Sequence, residues 1–107
     1  MAPPSRFNWD RRNIGHLALR QILPAEAEQV ILNRPIDLES YLRNGEERTV
    51  QIGETDAGKI LIVVSTMWDT KIRVVTVWLA KERLRRYFST QKKNGNVGRI
   101  EKDGLRE

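Results

Sequence analysis

The chain has 107 residues, 39% of them apolar and 31% charged, which is enough for one ordinary domain built around one core. Cysteine is absent and histidine occurs once, at His16, which excludes a disulfide framework, a thiolate metal site and a histidine-pair zinc motif. The net charge is +5, yet residues 1–80 carry ten basic and ten acidic side chains, so the whole excess falls in residues 81–107, with nine against four. A basic segment on a neutral body points to a polyanion or an acidic partner, or to no more than a solubilising tail. No run of about 18 apolar residues occurs, so no membrane-spanning helix and no membrane partner is expected. The opening Met1-Ala2-Pro3-Pro4 lacks the basic-then-apolar pattern of a secretory leader, so a cytoplasmic location is expected.

A short strand at Arg6 to Trp9 is the first candidate element. Residues 9–23 read as a first helix, capped by Asp10 or Asn8, with Ile14, Leu17, Ala18 and Ile22 at helical spacing. Pro24 opens a second helix with Ala27, Val30 and Ile31 inside, and Asn33-Arg34-Pro35 ends it because the residue before proline avoids the helical region. A meander follows. Ile36 to Tyr41 is a short edge strand, and Asn44-Gly45 is a tight hairpin turn. Glu47 to Gly53 alternates, with Val50 and Ile52 facing one way. Ile60 to Val64 is apolar on both faces, as a covered central strand would be, and Lys71 to Trp78 is rich in β-branched residues. A third helix spans about Ala80 to Thr90, with Ala80, Leu84, Tyr87 and Phe88 as its apolar stripe. Short turns imply antiparallel neighbours. The expected fold is therefore α+β, with two N-terminal helices, a three- to four-stranded antiparallel sheet and a C-terminal helix. One domain would span 1–93, and 94–107 would be a weakly ordered charged tail.

No strong catalytic motif is present. Gly53-x4-Gly58-Lys59 has the outline of a phosphate loop, but it runs into a strand rather than a helix and is set aside. Arg12, His16 and Arg20 fall at i, i+4 and i+8 on the first helix and share one face. Neighbouring cations would leave His16 available as a base near neutral pH, and a solvated helix face is the plainer alternative. Arg48 has the alternation of Val50 and Ile52, so its guanidinium would enter a packed face and need a ligand or an ion pair with Glu46 or Glu47. Arg73 has the alternation of Val75 and Val77. Two arginines at the starts of neighbouring strands could grip a phosphate through their planar forks.

Phe7-Asn8-Trp9-Asp10, then Asn13, then Pro24-x-Glu26-Ala27 resembles the opening of the BrnT-type ribonuclease toxins of the RelE-like superfamily, and further segments resemble that family in order and spacing. Gly45-Glu46-Glu47-Arg48 is similar to its G-E-E-R, and Gly58-Lys59-Ile60-Leu61-Ile62-Val63-Val64 to its G-R-L-L-V-V-V. Arg73 to Ala80 resembles R-I-I-S-A-R-x-A, and Tyr87 falls where the last helix carries a tyrosine. The resemblance covers roughly residues 6–88. It implies a toxin from a bacterial toxin–antitoxin pair that cuts RNA without metal or other cofactor, through attack of the 2′-hydroxyl. Arg48 and Arg73 would hold the phosphate, His16 or Glu47 would be the base, and Tyr87 would position or protonate. Arg12, Arg20, Lys81, Arg83, Arg85 and Arg86 would bind flanking RNA. The protein partner would be an antitoxin, with DNA reached only through it. Two departures stand out: the family's K-H-G turn is Arg20-Gln21-Ile22, and the second arginine of R-x-x-x-x-R is Trp78. Two other readings compete with a toxin. One is an RNA- or antitoxin-binding protein on the same fold without cleavage. The other is a small nucleic-acid module using the basic C-terminal end, with Trp68 or Trp78 stacking on bases.

Overall fold

Residues 6–93 of the chain are described by a computed structural model. The reading of 94–107 as a tail lies outside them. The first helix, α1 (Arg11–Ala18), starts where Asp10 caps it. The Asp10 carboxylate accepts from the amides of Arg12 (3.0 Å) and Asn13 (3.1 Å), and the Asn13 side-chain oxygen accepts from the Asp10 amide at 2.8 Å. This reciprocal box satisfies N–H groups that have no partner inside the helix.

The helix is shorter than its periodicity predicts. Ile22 N–H returns to the Leu17 carbonyl and Gln21 N–H to Ala18, a Schellman-type ending, with Gln21 in the left-handed region at φ 59°. A glycine normally signals this turn, and none is present. The shortening also changes the inner face. Leu17 and Ile22 are buried, whereas Ile14 is 41% exposed, and the buried position one turn before Leu17 belongs to Asn13.

The second helix, α2 (Pro24–Leu32), has proline in its first turn, and Glu26 accepts from the Leu23 amide. Arg34 at φ 56° turns the chain out ahead of Pro35. Four strands follow: β1 (Ile36–Arg43), β2 (Glu46–Glu54), β3 (Ile60–Trp68) and β4 (Lys71–Leu79). They pair in sequence order, all antiparallel, with β1 and β4 at the edges. Asn44 and Gly45 both take positive φ, as a two-residue hairpin with the strand twist requires. The last helix, α3 (Glu82–Lys93), starts and ends later than the predicted 80–90.

The sheet is covered on both faces. Leu61 and Val63 of β3 pack with Val74 and Val77 against Leu17, Ile22, Ala27 and Val30 from α1, α2 and the turn between them. Ile62 and Val64 pack with Ile36, Val50 and Ile52 against Ala80 and Phe88 on the α3 side. The apolar run at Ile60 to Val64 is thus the covered central strand its composition predicts. At Gly53, α2 lies so close that an added Cβ would meet Val30 Cγ1 at 3.0 Å and Pro35 Cβ at 3.2 Å.

Two irregularities place side chains that alternation misplaces. Val64 pairs with Thr76 but Ser65 pairs with Val74, so Val75 is an extra residue in β4. This bulge puts Val74 and Val77 on the α1/α2 side and Val75 on the α3 side. Arg73 therefore does not share a face with Val77, as simple alternation expects. The second irregularity lies at the edge of β4. Phe7 pairs in parallel with Ile72, and the Asn13 amide group donates to the carbonyls of Asn8 (3.0 Å) and Val74 (3.1 Å). The chain before α1 thereby covers the start of an otherwise open edge.

Asn13 is 3% exposed and ties three backbone groups together. Asn13→Ala is expected to cost about 2–3 kcal/mol, because a buried carbonyl loses its donor. Urea unfolding should show a lower midpoint with an unchanged slope.

Candidate functional site

The turn ends of the β1–β2 and β3–β4 hairpins meet α1 around a hollow of about 590 Å³. Arg12 and His16 reach it from α1, Arg43 from the end of β1, and Glu46 and Arg48 from the start of β2. Trp68 and Thr66 come from the end of β3 and Arg73 from the start of β4. The sheet register explains the grouping. Thr66 is opposite Arg73, and Thr49 is opposite Ser65, so Arg48 lies beside Thr66 on the other flank of β3. Arg48 and Arg73 are thus on strands separated by β3, not on neighbouring strands as expected.

The two strand arginines are neutralised inside the protein. Arg73 is 7% exposed, and its guanidinium donates to Asn8 Oδ1 at 2.6 Å and lies 3.1 Å from Asp10 Oδ2. It also lies under the Trp68 ring, with Cζ 4.4 Å from the centroid. Arg48 donates to Glu46 Oε1 from Nε at 3.2 Å and from Nη2 at 3.1 Å. The other oxygen of Glu46 accepts from the Trp68 indole N–H at 2.9 Å. A single network therefore runs from Arg48 through Glu46, Trp68 and Arg73 to Asp10. It holds both carboxylates charged. The Arg73 guanidinium, then the Asn13 amide, keeps Asp10 below its ordinary 3.8. The Trp68 indole, then Arg48, keeps Glu46 below its ordinary 4.5.

Arg12, Arg43 and His16 differ from this pair. All three are exposed, and none has a side-chain hydrogen bond or ion pair among the described residues. Arg12 and Arg43 supply a positive rim without ion pairs at the hollow. Arg20 extends the same side: it donates to Thr76 Oγ1 at 2.9 Å and lies 6.0 Å from the Trp78 ring. The shared face predicted for Arg12, His16 and Arg20 therefore fronts β4, although Arg20 stands in the turn beyond α1.

Other predicted site residues lie elsewhere. Glu47 lines a separate depression on the α2 side of the sheet with Ser65 and Met67, because its neighbour Arg48 takes the α3 side. Tyr87 is 37% exposed on α3 and does not line the hollow. Lys81, Arg83, Arg85 and Arg86 are exposed at or near the start of α3, where Arg86 pairs with Glu82 at 2.8 Å. Arg85 and Arg86 border Ile60, at the far end of β3 from Thr66 and about 20 Å away by strand rise. Neither Glu47 nor Tyr87 therefore joins Arg48 and Arg73 in one hollow.

Sequence reasoning names Glu46 as a partner for Arg48, which the structure shows, but misses Arg43 and does not place Trp68 with this pair. A signal existed for Arg43: a two-residue Asn44-Gly45 turn puts it directly opposite Glu46. Nothing local signals that Asn8 and Asp10 lie along the edge of β4 against Arg73.

Among the described residues, no three His, Cys, Asp or Glu side chains cluster so as to hold a metal ion, and no helix is long and apolar enough to cross a membrane. No protein-family model matches the chain, and neither a curated protein nor a solved structure does.

Two outcomes separate the neutralised arginines from the free ones. Arg73→Ala should cost about 2 kcal/mol in urea unfolding, since it strands Asn8 and Asp10 and removes the support under Trp68. Arg12→Ala should leave stability within about 0.5 kcal/mol of the parent. Acid provides a second check. Carboxylates with lowered folded pKa contribute stability that is complete above their unfolded values and is lost as pH falls through the folded ones. The double variant Asp10→Asn/Glu46→Gln should be less stable than the parent near neutral pH. The gap should close as pH drops below about 4, measured by urea midpoints across the range.

Proposed function

We propose that the chain is a cytoplasmic ribonuclease toxin of the BrnT kind that cuts single-stranded RNA in this hollow and is held inactive by an antitoxin. One observation carries the reading. His16, Arg12 and Arg43 come from α1 and β1 to one concave site, and neither arginine has an ion pair among the described residues, because Glu46 and Asp10 there are taken by Arg48 and Arg73. A phosphodiester strand supplies the missing negative charge. In the proposed reaction the RNA 2′-oxygen bonds to the adjacent phosphorus and loses its proton to His16. The bond from phosphorus to the 5′-oxygen breaks, and that oxygen takes up a proton from solvent, while His16 returns its proton to solvent for the next turnover. The products are a 2′,3′-cyclic phosphate and a free 5′-hydroxyl. Arg12 and Arg43 stabilise the charge that builds on the phosphoryl oxygens. Arg48 and Arg73, engaged with Glu46 and Asp10, hold the walls of the site. This assignment differs from the phosphate-gripping role that the family resemblance implies for them.

A second reading has an observation of its own. With both strand arginines neutralised and Trp78 in place of a cation, the hollow suits binding an RNA strand without cutting it. One assay decides between the two. Purified protein is incubated with single-stranded RNA in EDTA, and fragments ending in cyclic phosphate are sought. Cleavage should fall at least about 100-fold in His16→Ala, a surface change that leaves the fold intact, and should fail at a 2′-deoxy position. RNA that is bound but uncut establishes the second reading, and RNA that is not bound overturns both.

A further inference from the structure

The geometry points to Trp68 as a stacking platform for one unpaired base of the strand bound in the hollow; this rests on the RNA reading above. A tryptophan that is 46% exposed at a hairpin turn contributes little to a core. This one is nevertheless fixed on two sides. Its indole N–H is bonded to Glu46 Oε2 at 2.9 Å, and one ring face rests on the guanidinium of Arg73 at 4.4 Å. Arg73 is itself buried and anchored by Asn8 and Asp10, so the support is rigid. The ring has one remaining face, and Trp68 lines the hollow beside Arg43 and Arg12. A flat aromatic surface already immobilised next to unpaired cations is the arrangement that single-strand binders use. The cations follow the backbone, and the ring takes a base at low entropic cost because its rotamer is set beforehand.

Trp78 does not share this role. It is partly buried in the α3-side core, and Arg20 lies over its ring. Stacking is tolerant of base identity because every base has a π-face, so Trp68 should favour purines modestly through larger overlap and should not read hydrogen-bond edges.

The test uses a 2′-O-methyl RNA hexanucleotide, which has no 2′-hydroxyl to attack and cannot be cut by the proposed route, and the same backbone with abasic sugars. Affinities are measured by fluorescence anisotropy for the parent, Trp68→Phe and Trp68→Leu. The parent should bind the base-bearing strand about tenfold more tightly than the abasic one. Trp68→Leu should erase that preference without weakening abasic binding, and Trp68→Phe should retain most of it. Unchanged base-bearing affinity in Trp68→Leu overturns the platform and leaves the RNA reading standing. Equal weakening of both strands also overturns it, because Trp68 would then act only by holding Arg73 and Glu46 in place. A parent that binds neither strand overturns the platform together with the RNA reading.

Discussion

A guanidinium buried at the start of an edge strand is the constraint on which the arrangement of this protein depends. Arg73 is almost wholly enclosed, and a charge in that position is tolerated only with close partners. Those partners are Asn8 and Asp10, which are remote in sequence and reach it because the chain before α1 runs along the edge of β4. Asp10 has a second task as the cap of α1. One carboxylate therefore fixes both the start of the helix and its position against the sheet. Asn13, one turn on, adds the bond to the Val74 carbonyl that holds the helix to the strand. Arg12 and His16 face the hollow because the helix is pinned there.

The same wiring divides the cations by task. Arg48 and Arg73 each have a carboxylate, and Trp68 bridges the two pairs through its indole N–H and its ring. Arg12, Arg43 and His16 have no such partners among the described residues. A strand-start arginine on an apolar face is thus not sufficient evidence of a ligand site. Burial makes a local counter-ion necessary, and exposure is what leaves a guanidinium available for a phosphate.

Much of the scaffold was legible in the chain. The Asn44-Gly45 turn, the proline that opens α2, the doubly apolar β3 and the α+β order all follow from local chemistry, and the structure has them. The misreadings have physical causes. The first helix stops early because Gln21 adopts a conformation usually reserved for glycine, so no residue marked the end. Simple alternation puts Arg73 on the face of Val77, and one extra residue at Val75 shifts it off that face; a bulge has no fixed sequence signature. Of the candidate site, Arg12, His16, Arg48 and Arg73 were legible and do converge. Glu47 does not join them because adjacent strand residues point to opposite faces, and Tyr87 does not because it lies on a different element from the hollow.

The sequence by itself determined the elements, their antiparallel order and the stock of cations near neutral ground, since capping, turn geometry and hydrophobic period act over a few residues. Only the tertiary structure decided which of those cations are free. That depends on contacts such as Arg73 with Asn8 and Asp10, across more than 60 positions of the chain, and on the strand register that places Arg48 beside Thr66. Charge pairing at that range is set by packing, and no local pattern encodes it.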